Sequence, residues 1–216
     1  MRIAEIFRSI QGEGLLAGVP SVFIRVAGCN RRCRWCDTPR ARSPRAGREM
    51  ALDEIVRRAT AFGGRHVVLT GGEPMAARGI RALARRLSEA GRHVTIETNA
   101  TIPPRGVACD LASLSPKLRH AGGPPPDLAV LRAWLRGYDG QLKFVVRSPC
   151  DAAEARALLD ALGVDVPPER VFLMPEARDR RTLRTRAEAV RRACLETGYR
   201  FGPRLHVEWF DRRKER

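Results

Sequence analysis

The sequence predicts an α/β fold, on three observations. Short runs rich in β-branched and apolar residues recur along the chain, helical patterns separate them, and Gly, Pro or polar residues mark the junctions. The predicted strands are Ser21–Ala27, His66–Leu69, His93–Glu97, Leu111–Leu114, Gln141–Val146 and Val171–Met174, with a last one near Arg204–Trp209. This alternation is typical of β-α units that form a parallel sheet.

Helices are predicted where apolar residues recur three and four positions apart. These segments are Leu52–Phe62, Ile80–Ala90, Asp151–Leu162 and Arg181–Thr197. The Pro- and Gly-containing runs Arg40–Arg48 and Gly122–Pro126 are predicted to be loops. Because the alternation continues on both sides of each loop, the sequence predicts a single domain over residues 1–216.

The composition favours a cytoplasmic protein with no membrane partner. The chain has 216 residues, 44% of them hydrophobic, which is enough for one sizeable core. No run of about 18 apolar residues occurs, and the first residues do not pair a basic leader with an apolar signal core.

The formal net charge of +16 raises the possibility of nucleic-acid binding. The basic residues, however, are spread over the predicted helices and are not interleaved with aromatic residues in one strip. A solvated arginine-rich surface is therefore favoured, and a nucleic-acid partner is not expected.

Three of the six cysteines, Cys29, Cys33 and Cys36, lie within eight residues. A structural zinc ion needs four ligands, whereas three thiolates on a four-iron cluster leave one iron open to bind another molecule. Arg31, Arg32 and Arg34 lie between the thiols and are expected to favour thiolates. Zinc, completed by a distant His66, His120 or cysteine, stays open on spacing alone. The remaining cysteines, Cys109, Cys150 and Cys194, are expected to be small buried residues.

Polar motifs follow three of the predicted strands. They are Thr70-Gly71-Gly72-Glu73-Pro74, Glu97-Thr98-Asn99 and Ser115-Pro116-Lys117. Polar residues at successive strand ends are what a site at the mouth of a β/α barrel requires. Two glycines let the backbone approach a ligand closely, and Glu73 offers an acceptor for a cationic amine.

The spacing C-x-x-x-C-x-x-C, with Trp35 before the last cysteine, resembles the signature of the radical S-adenosylmethionine superfamily, and Gly71–Pro74 resembles its GGEP motif. The opening Ile6–Gly14 and the stretch Gly18–Asn30 closely resemble 7-carboxy-7-deazaguanine synthases, as do Cys36-Asp37-Thr38 and the strand-end motifs. The resemblance implies a modified, shortened partial (β/α) barrel. It also implies a homodimer, and a reductant protein such as flavodoxin or ferredoxin.

The resemblance implies a defined reaction. An open iron of the 4Fe-4S cluster chelates S-adenosylmethionine, whose cleavage gives methionine and a 5′-deoxyadenosyl radical. In this family the radical abstracts a hydrogen atom from 6-carboxy-5,6,7,8-tetrahydropterin, whose six-membered ring contracts to a pyrrole with loss of ammonia. S-adenosylmethionine is regenerated, and the product enters queuosine and related 7-deazapurine pathways.

The same resemblance implies roles for particular residues of this chain. The cluster ligands would be Cys29, Cys33 and Cys36, and Thr38 would bind Mg²⁺, a cation that prefers oxygen ligands. Substrate would be bound by Ile10, Gln11, Gly12, Arg25, Thr70 and the terminal Arg216. S-adenosylmethionine would be bound by Gly72, Ser115, Pro116, Lys117, Met174, Pro175, Glu176 and Ala177. Glu97 is left unassigned between the two.

Two stretches depart from the family pattern. Glu208–Asp211 stands where a Gln-x-His-Lys segment is usual, and Met174 stands where glutamine is common. Two other functions stay open. A glycyl-radical-enzyme activase would share the cysteine spacing, and a basic zinc-containing RNA-binding protein would share the charge and the cysteines.

Overall fold

The computed structural model describes residues 1–211, which form one nine-stranded sheet with helices between the strands. The strands are β1 (Arg2–Ile10), β2 (Pro20–Val26), β3 (Arg48–Glu49), β4 (His66–Gly71), β5 (His93–Thr98), β6 (Leu111–Leu114), β7 (Gly140–Val146), β8 (Val171–Pro175) and β9 (Arg200–Phe201). The α-helices are α1 (Leu52–Ala61), α2 (Ile80–Glu89), α3 (Leu128–Gly137), α4 (Pro149–Leu162), α5 (Arg180–Thr197) and α6 (Leu205–Phe210). Short 3₁₀ turns occupy Gly14–Leu16, Pro39–Arg42, Pro74–Ala76, Arg119–Ala121 and Pro168–Arg170.

The strand order is β3-β1-β2-β4-β5-β6-β7-β8-β9. Strand β1 is antiparallel to β2 and β3, and every other neighbouring pair is parallel. The order has two free ends, so the sheet is not closed. The structure confirms both the α/β fold that the sequence pattern predicts and the partial barrel that the family resemblance implies.

The core lies between the parallel strands and the helices. Trp134 of α3, Phe144 of β7 and Ile24 of β2 are fully buried in it. Helix α4 begins with Ser148 as N-cap and Asp151 in a reciprocal capping box, and Gly163 ends it in the left-handed conformation. No helix in the described part of the chain is long and apolar enough to cross a membrane.

The structure differs from the sequence prediction in several elements. The predicted last strand, Arg204–Trp209, is wrong: a helix covers Leu205–Phe210, and the nearby strand is only Arg200–Phe201. Strand β1 and helix α3 were not predicted. Cys194 is buried as expected, but Cys150 lies exposed in the first turn of α4.

Candidate active site

One cavity of about 740 Å³ opens at the carboxyl ends of the parallel strands. Because these ends meet at one edge of the sheet, motifs that are far apart in sequence share this space. The predicted site residues that line it are Ile10, Gln11, Gly12, Arg25, Cys29, Cys33, Cys36, Thr38, Thr70, Gly72, Ser115, Lys117 and Met174.

Four predicted residues do not line this cavity, and one cannot be placed. Pro116, Pro175 and Ala177 are buried behind the strand ends. The Glu176 carboxylate faces His120 and accepts a hydrogen bond from Arg186 at 2.7 Å. Arg216 lies outside the described residues.

All three clustered cysteines are free thiols on one loop that faces the cavity. Cys33 is buried, and Cys29 and Cys36 are half-buried. Neighbouring segments hold the loop: the amide of Arg34 donates to the Ala121 carbonyl at 3.0 Å, and the amide of Cys29 donates to the Arg42 carbonyl at 3.2 Å. The loop therefore presents three thiols to one open space, which fits a cluster that keeps one iron free.

The thiol spacing does not fit a single zinc ion. Zinc bound to thiolates at about 2.3 Å would bring the sulfur atoms within about 3.8 Å of one another. Within residues 1–211, the one group of three potential ligand residues with atoms inside 4.8 Å of one another is Glu13, Asp37 and His206. A four-iron cluster, in which each thiolate binds a different iron, suits more widely separated thiols.

Two arginines of the cysteine loop, Arg31 and Arg32, bond to backbone carbonyls. Burial raises the pKa of Cys29 and of Cys36 above that of an ordinary thiol. The guanidinium of Arg31 donates to the carbonyls of Pro124 and Gly122, and that of Arg32 donates to backbone carbonyls of the loop itself. Arg31 and Arg32 therefore fasten the loop, and thiolate stabilisation by the loop arginines stays a prediction.

The turn after β4 lies directly against the cysteine loop. The amide of Glu73 donates to the Gly28 carbonyl at 2.8 Å, and a Cβ at Gly72 would lie 2.0 Å from that oxygen. The Glu73 carboxylate is buried and accepts from the Thr98 hydroxyl and the amides of Asn99 and Met75. Gly72, and not this carboxylate, therefore faces the cavity.

Lys117 stands between the cysteine loop and the end of β6. Its ammonium donates to the Ser115 hydroxyl at 2.7 Å and lies 5.3 Å from the centre of the Trp35 ring. Burial lowers the pKa of Lys117 from its ordinary value. The third strand-end motif thus contacts the aromatic residue that precedes the last cysteine.

A buried ionic network forms the opposite wall. The Lys143 ammonium, only 3% exposed, donates to Glu13 at 2.9 Å and to Glu97 at 3.1 Å. The Glu97 carboxylate also accepts from the Thr70 hydroxyl at 2.9 Å and from the side-chain amide of Gln11 at 3.2 Å. Although burial alone would raise the pKa of Glu13, Lys143 and Arg204 hold it far below its usual range.

Sequence reasoning missed Glu13, Lys143 and Arg204. For Lys143 a signal existed, since it is a charged residue inside the otherwise apolar run Leu142–Val146. A lysine buried in a central strand needs paired carboxylates, and both come from remote segments. No local sequence feature indicates the role of Arg204, because its carboxylate partners, Asp37 and Glu13, lie 167 and 191 positions away in the chain.

The fold and the three-cysteine site define a radical S-adenosylmethionine enzyme, and residues 23–121 match the family model of the radical SAM superfamily. The chain is 40% identical to the 7-carboxy-7-deazaguanine synthase of Halobacterium salinarum over 97% of its length and 90% of the relative's. It is 39% identical to that of Rhodopirellula baltica, with 98% and 87% covered. The crystal structure of QueE from Escherichia coli superposes with a TM-score of 0.71 at 27% identity, covering 93% of this chain and 92% of the other. The chain belongs to the 7-carboxy-7-deazaguanine synthase family.

Replacing Cys33 by alanine is expected to abolish stable cluster assembly. Iron and sulfide analysis after anaerobic reconstitution should give about four irons per chain for the unaltered protein and a large loss for the variant. Cys194→Ala is a matched control, because Cys33 and Cys194 are equally buried at 8% exposure. Equal iron loss in both variants, or a colourless protein with one zinc, would contradict the cluster assignment.

Proposed function

We propose that the chain converts 6-carboxy-5,6,7,8-tetrahydropterin to 7-carboxy-7-deazaguanine with loss of ammonia. The observation that carries this proposal is one cavity in which three free thiols and an uncommitted arginine, Arg25, face the same space. When bound, the cluster and S-adenosylmethionine supply the radical that abstracts a hydrogen atom from the substrate. The chain's own residues hold and orient the two molecules.

Cofactor binding is assigned to the cysteine loop and the adjoining strand ends. Cys29, Cys33 and Cys36 would hold the cluster. Gly72, Ser115 and Lys117 would line S-adenosylmethionine, and their position beside the loop supports this role. Met174 also faces the cavity, whereas Pro116, Pro175, Glu176 and Ala177 would act only through the backbone they support.

Recognition of the pterin ring is assigned to the wall opposite the cysteines. Gln11, Thr70 and Glu97 already form a hydrogen-bonded set there, and such a set matches a ring rich in donors and acceptors. Gly12 lines the same wall, and its position is fixed by contacts with the segment Leu205–His206. Its carbonyl accepts from the Leu205 amide at 3.1 Å, and His206 fills the space where a Cβ would stand. Ile10, 40% exposed at the rim, would cover the ring from outside.

Arg25 is assigned to the substrate carboxylate. Its guanidinium lies over the Phe7 ring at 5.8 Å, and its buried Nε has no hydrogen-bond partner. A planar guanidinium fork suits a carboxylate, and a desolvated donor without a partner favours binding one.

Thr38 is assigned to Mg²⁺ beside the substrate. It lines the cavity two residues after Cys36, and its hydroxyl donates to the Asp37 carboxylate at 3.2 Å. Hydroxyl and carboxylate oxygens are ligands that Mg²⁺ accepts, usually together with water and substrate oxygens.

The remaining assignments concern partners and setting. A one-electron reductant protein such as flavodoxin or ferredoxin would reduce the cluster, and exposed arginines at the loop, Arg32 and Arg34, suit an acidic partner. Six free thiols suit a reducing cytoplasm. The family supports a homodimer, and one continuous sheet supports a single domain. A glycyl-radical-enzyme activase and a zinc-containing RNA-binding protein are not favoured, given the family.

The proposed reaction is tested by turnover of the anaerobically reconstituted chain. With S-adenosylmethionine and 6-carboxytetrahydropterin, the 7-deazaguanine chromophore should appear without net loss of S-adenosylmethionine. The reaction is run once with dithionite and once with reduced flavodoxin, so that a missing protein donor is not mistaken for a missing activity. An iron-loaded enzyme that cleaves S-adenosylmethionine yet leaves the pterin unchanged would refute the proposal.

Arg25→Ala should raise the KM for the carboxypterin by roughly 10- to 100-fold, the scale of one or two charge-assisted hydrogen bonds. The iron content should not change, because Arg25 contacts none of the three thiols. Arg8→Ala, which removes an exposed arginine from the adjoining strand β1, is the control and should leave KM unaltered. A normal KM in Arg25→Ala, or loss of its iron, would show that the assignment is wrong.

Thr38→Val should raise the half-saturating Mg²⁺ concentration about tenfold, because it removes a ligand oxygen while keeping the side-chain shape. Thr38→Ser keeps the hydroxyl and should retain most of the response. Steady-state rates over a Mg²⁺ titration provide the measurement. Identical titrations for the valine and serine variants would exclude the hydroxyl as a ligand.

A further inference from the structure

Arg204 is a buried arginine at the start of α6 that the reaction scheme above does not use. Its side chain is 2% exposed, which is rare for a charged group. The guanidinium contacts three segments that are far apart in sequence, and each of them carries predicted site residues.

The three contacts divide among the three nitrogens of the guanidinium. Nε donates to the Glu13 carboxylate at 3.1 Å, and one terminal nitrogen donates to the Ala177 carbonyl at 2.6 Å. The other terminal nitrogen donates to the Asp37 carboxylate. Burial penalises a charged arginine, but Asp37 and Glu13 more than offset this penalty and raise the pKa of Arg204.

Each contacted segment has a different place in the site. Glu13 follows Gln11 and Gly12 on the substrate side, and Asp37 separates the ligand Cys36 from Thr38. Ala177 ends the stretch Met174–Ala177, which begins within β8 and continues past the end of that strand. One side chain therefore fixes the substrate side, the cation side and the β8 side of the cavity relative to one another.

We propose that Arg204 is a positioning residue that sets the distance between the substrate-binding turn at Gln11–Glu13 and the cation-binding turn at Asp37–Thr38. It acts through Glu13 and Asp37. The effect of Arg204 on catalysis rests on the proposed function, because substrate and Mg²⁺ must bind at these two turns at the same time.

The chemistry requires arginine at this position. A guanidinium is planar and presents several donors in a fixed fork, so it can serve acceptors that lie in three directions. A lysine ammonium would keep the charge but could not hold all three groups in the same relative positions.

Helix α6 offers a matched control. Arg180 also fastens this helix: its Nε donates to the Glu208 carbonyl at 2.7 Å, and its amide donates to the Asp211 carboxylate at 2.9 Å. Its side chain touches none of the three site segments. Arg180→Ala therefore loosens α6 alone, whereas a change at Arg204 should loosen α6 and the site segments together.

The first test is amide hydrogen exchange in the metal-free chain, which does not depend on the reaction. Arg204→Gln should speed exchange at Gly12–Glu13, at Asp37–Thr38 and at Ala177–Arg178. Arg180→Ala should speed it only within residues 205–211. If Arg204→Gln does not fold, Arg204→Lys keeps the charge and should speed exchange in at least two of the three segments. A change confined to residues 205–211, or no change, would overturn the proposal.

The second test measures how the reconstituted enzyme uses substrate and Mg²⁺. Arg204→Lys should raise both the pterin KM and the half-saturating Mg²⁺ concentration at least tenfold, since a displacement of about 1 Å can cost about 100-fold. Arg180→Ala should leave both values unchanged. Normal values in Arg204→Lys would overturn the positioning role. An unaltered chain that does not turn over the pterin would instead refute the proposed reaction, and the exchange result would still decide whether Arg204 joins the segments.

Discussion

The contact between the turn at Gly72 and the start of the cysteine loop at Gly28 is the constraint on which the site depends. A loop of three thiols with no regular secondary structure cannot hold its own shape. Here its first residue accepts a hydrogen bond from the Glu73 amide, and the two backbones lie so close that no side chain fits at position 72. Alanine at this position would force apart the cysteine loop and the turn after β4.

The same contact explains why Glu73 is buried. Its carboxylate satisfies the Thr98 hydroxyl and the amides of Asn99 and Met75, and burial raises its pKa in spite of those hydrogen bonds. The residue therefore joins the end of β5 to the turn after β4. A buried polar group without a partner lowers the free energy of unfolding by about 1–3 kcal/mol. Loss of the Glu73 carboxylate would leave three donors unpaired, each with a cost of this size. Glu73, the acidic residue of the Gly71–Pro74 motif, thus stabilises the turn after β4.

Much of the fold and part of the site could be predicted from local sequence, since strand-end motifs and clustered cysteines are visible without tertiary contacts. The segment Leu205–Phe210 was misread because its alternating apolar and polar residues are typical of a strand. Tertiary contacts decide otherwise, since the Leu205 amide bonds to Gly12 and the Arg204 side chain is buried. Helix α3 did carry a local signal, the N-cap Asp127, which the preceding proline run obscured.

What sequence could not provide is the pairing of charges inside the cavity. Four of the carboxylates that line it form ion pairs: Glu5 pairs with Arg40, Asp37 with Arg204, Glu97 with Lys143, and Glu13 with both Lys143 and Arg204. Each pair joins segments that are remote in the chain, so no spacing rule reveals it.

The other cations that line the cavity differ in their contacts. The Arg31 guanidinium donates hydrogen bonds to backbone carbonyls, and the Lys117 ammonium donates to the Ser115 hydroxyl beside the Trp35 ring. Arg25 is left with a stacking contact and an unpartnered Nε. A ligand that enters therefore meets four carboxylates already paired with cations, and the guanidinium of Arg25, which forms no hydrogen bond to a carboxylate or carbonyl within residues 1–211. This distribution of charge supports the proposed role of Arg25 in binding an anionic group, because the internal acids nearby are paired with other internal cations.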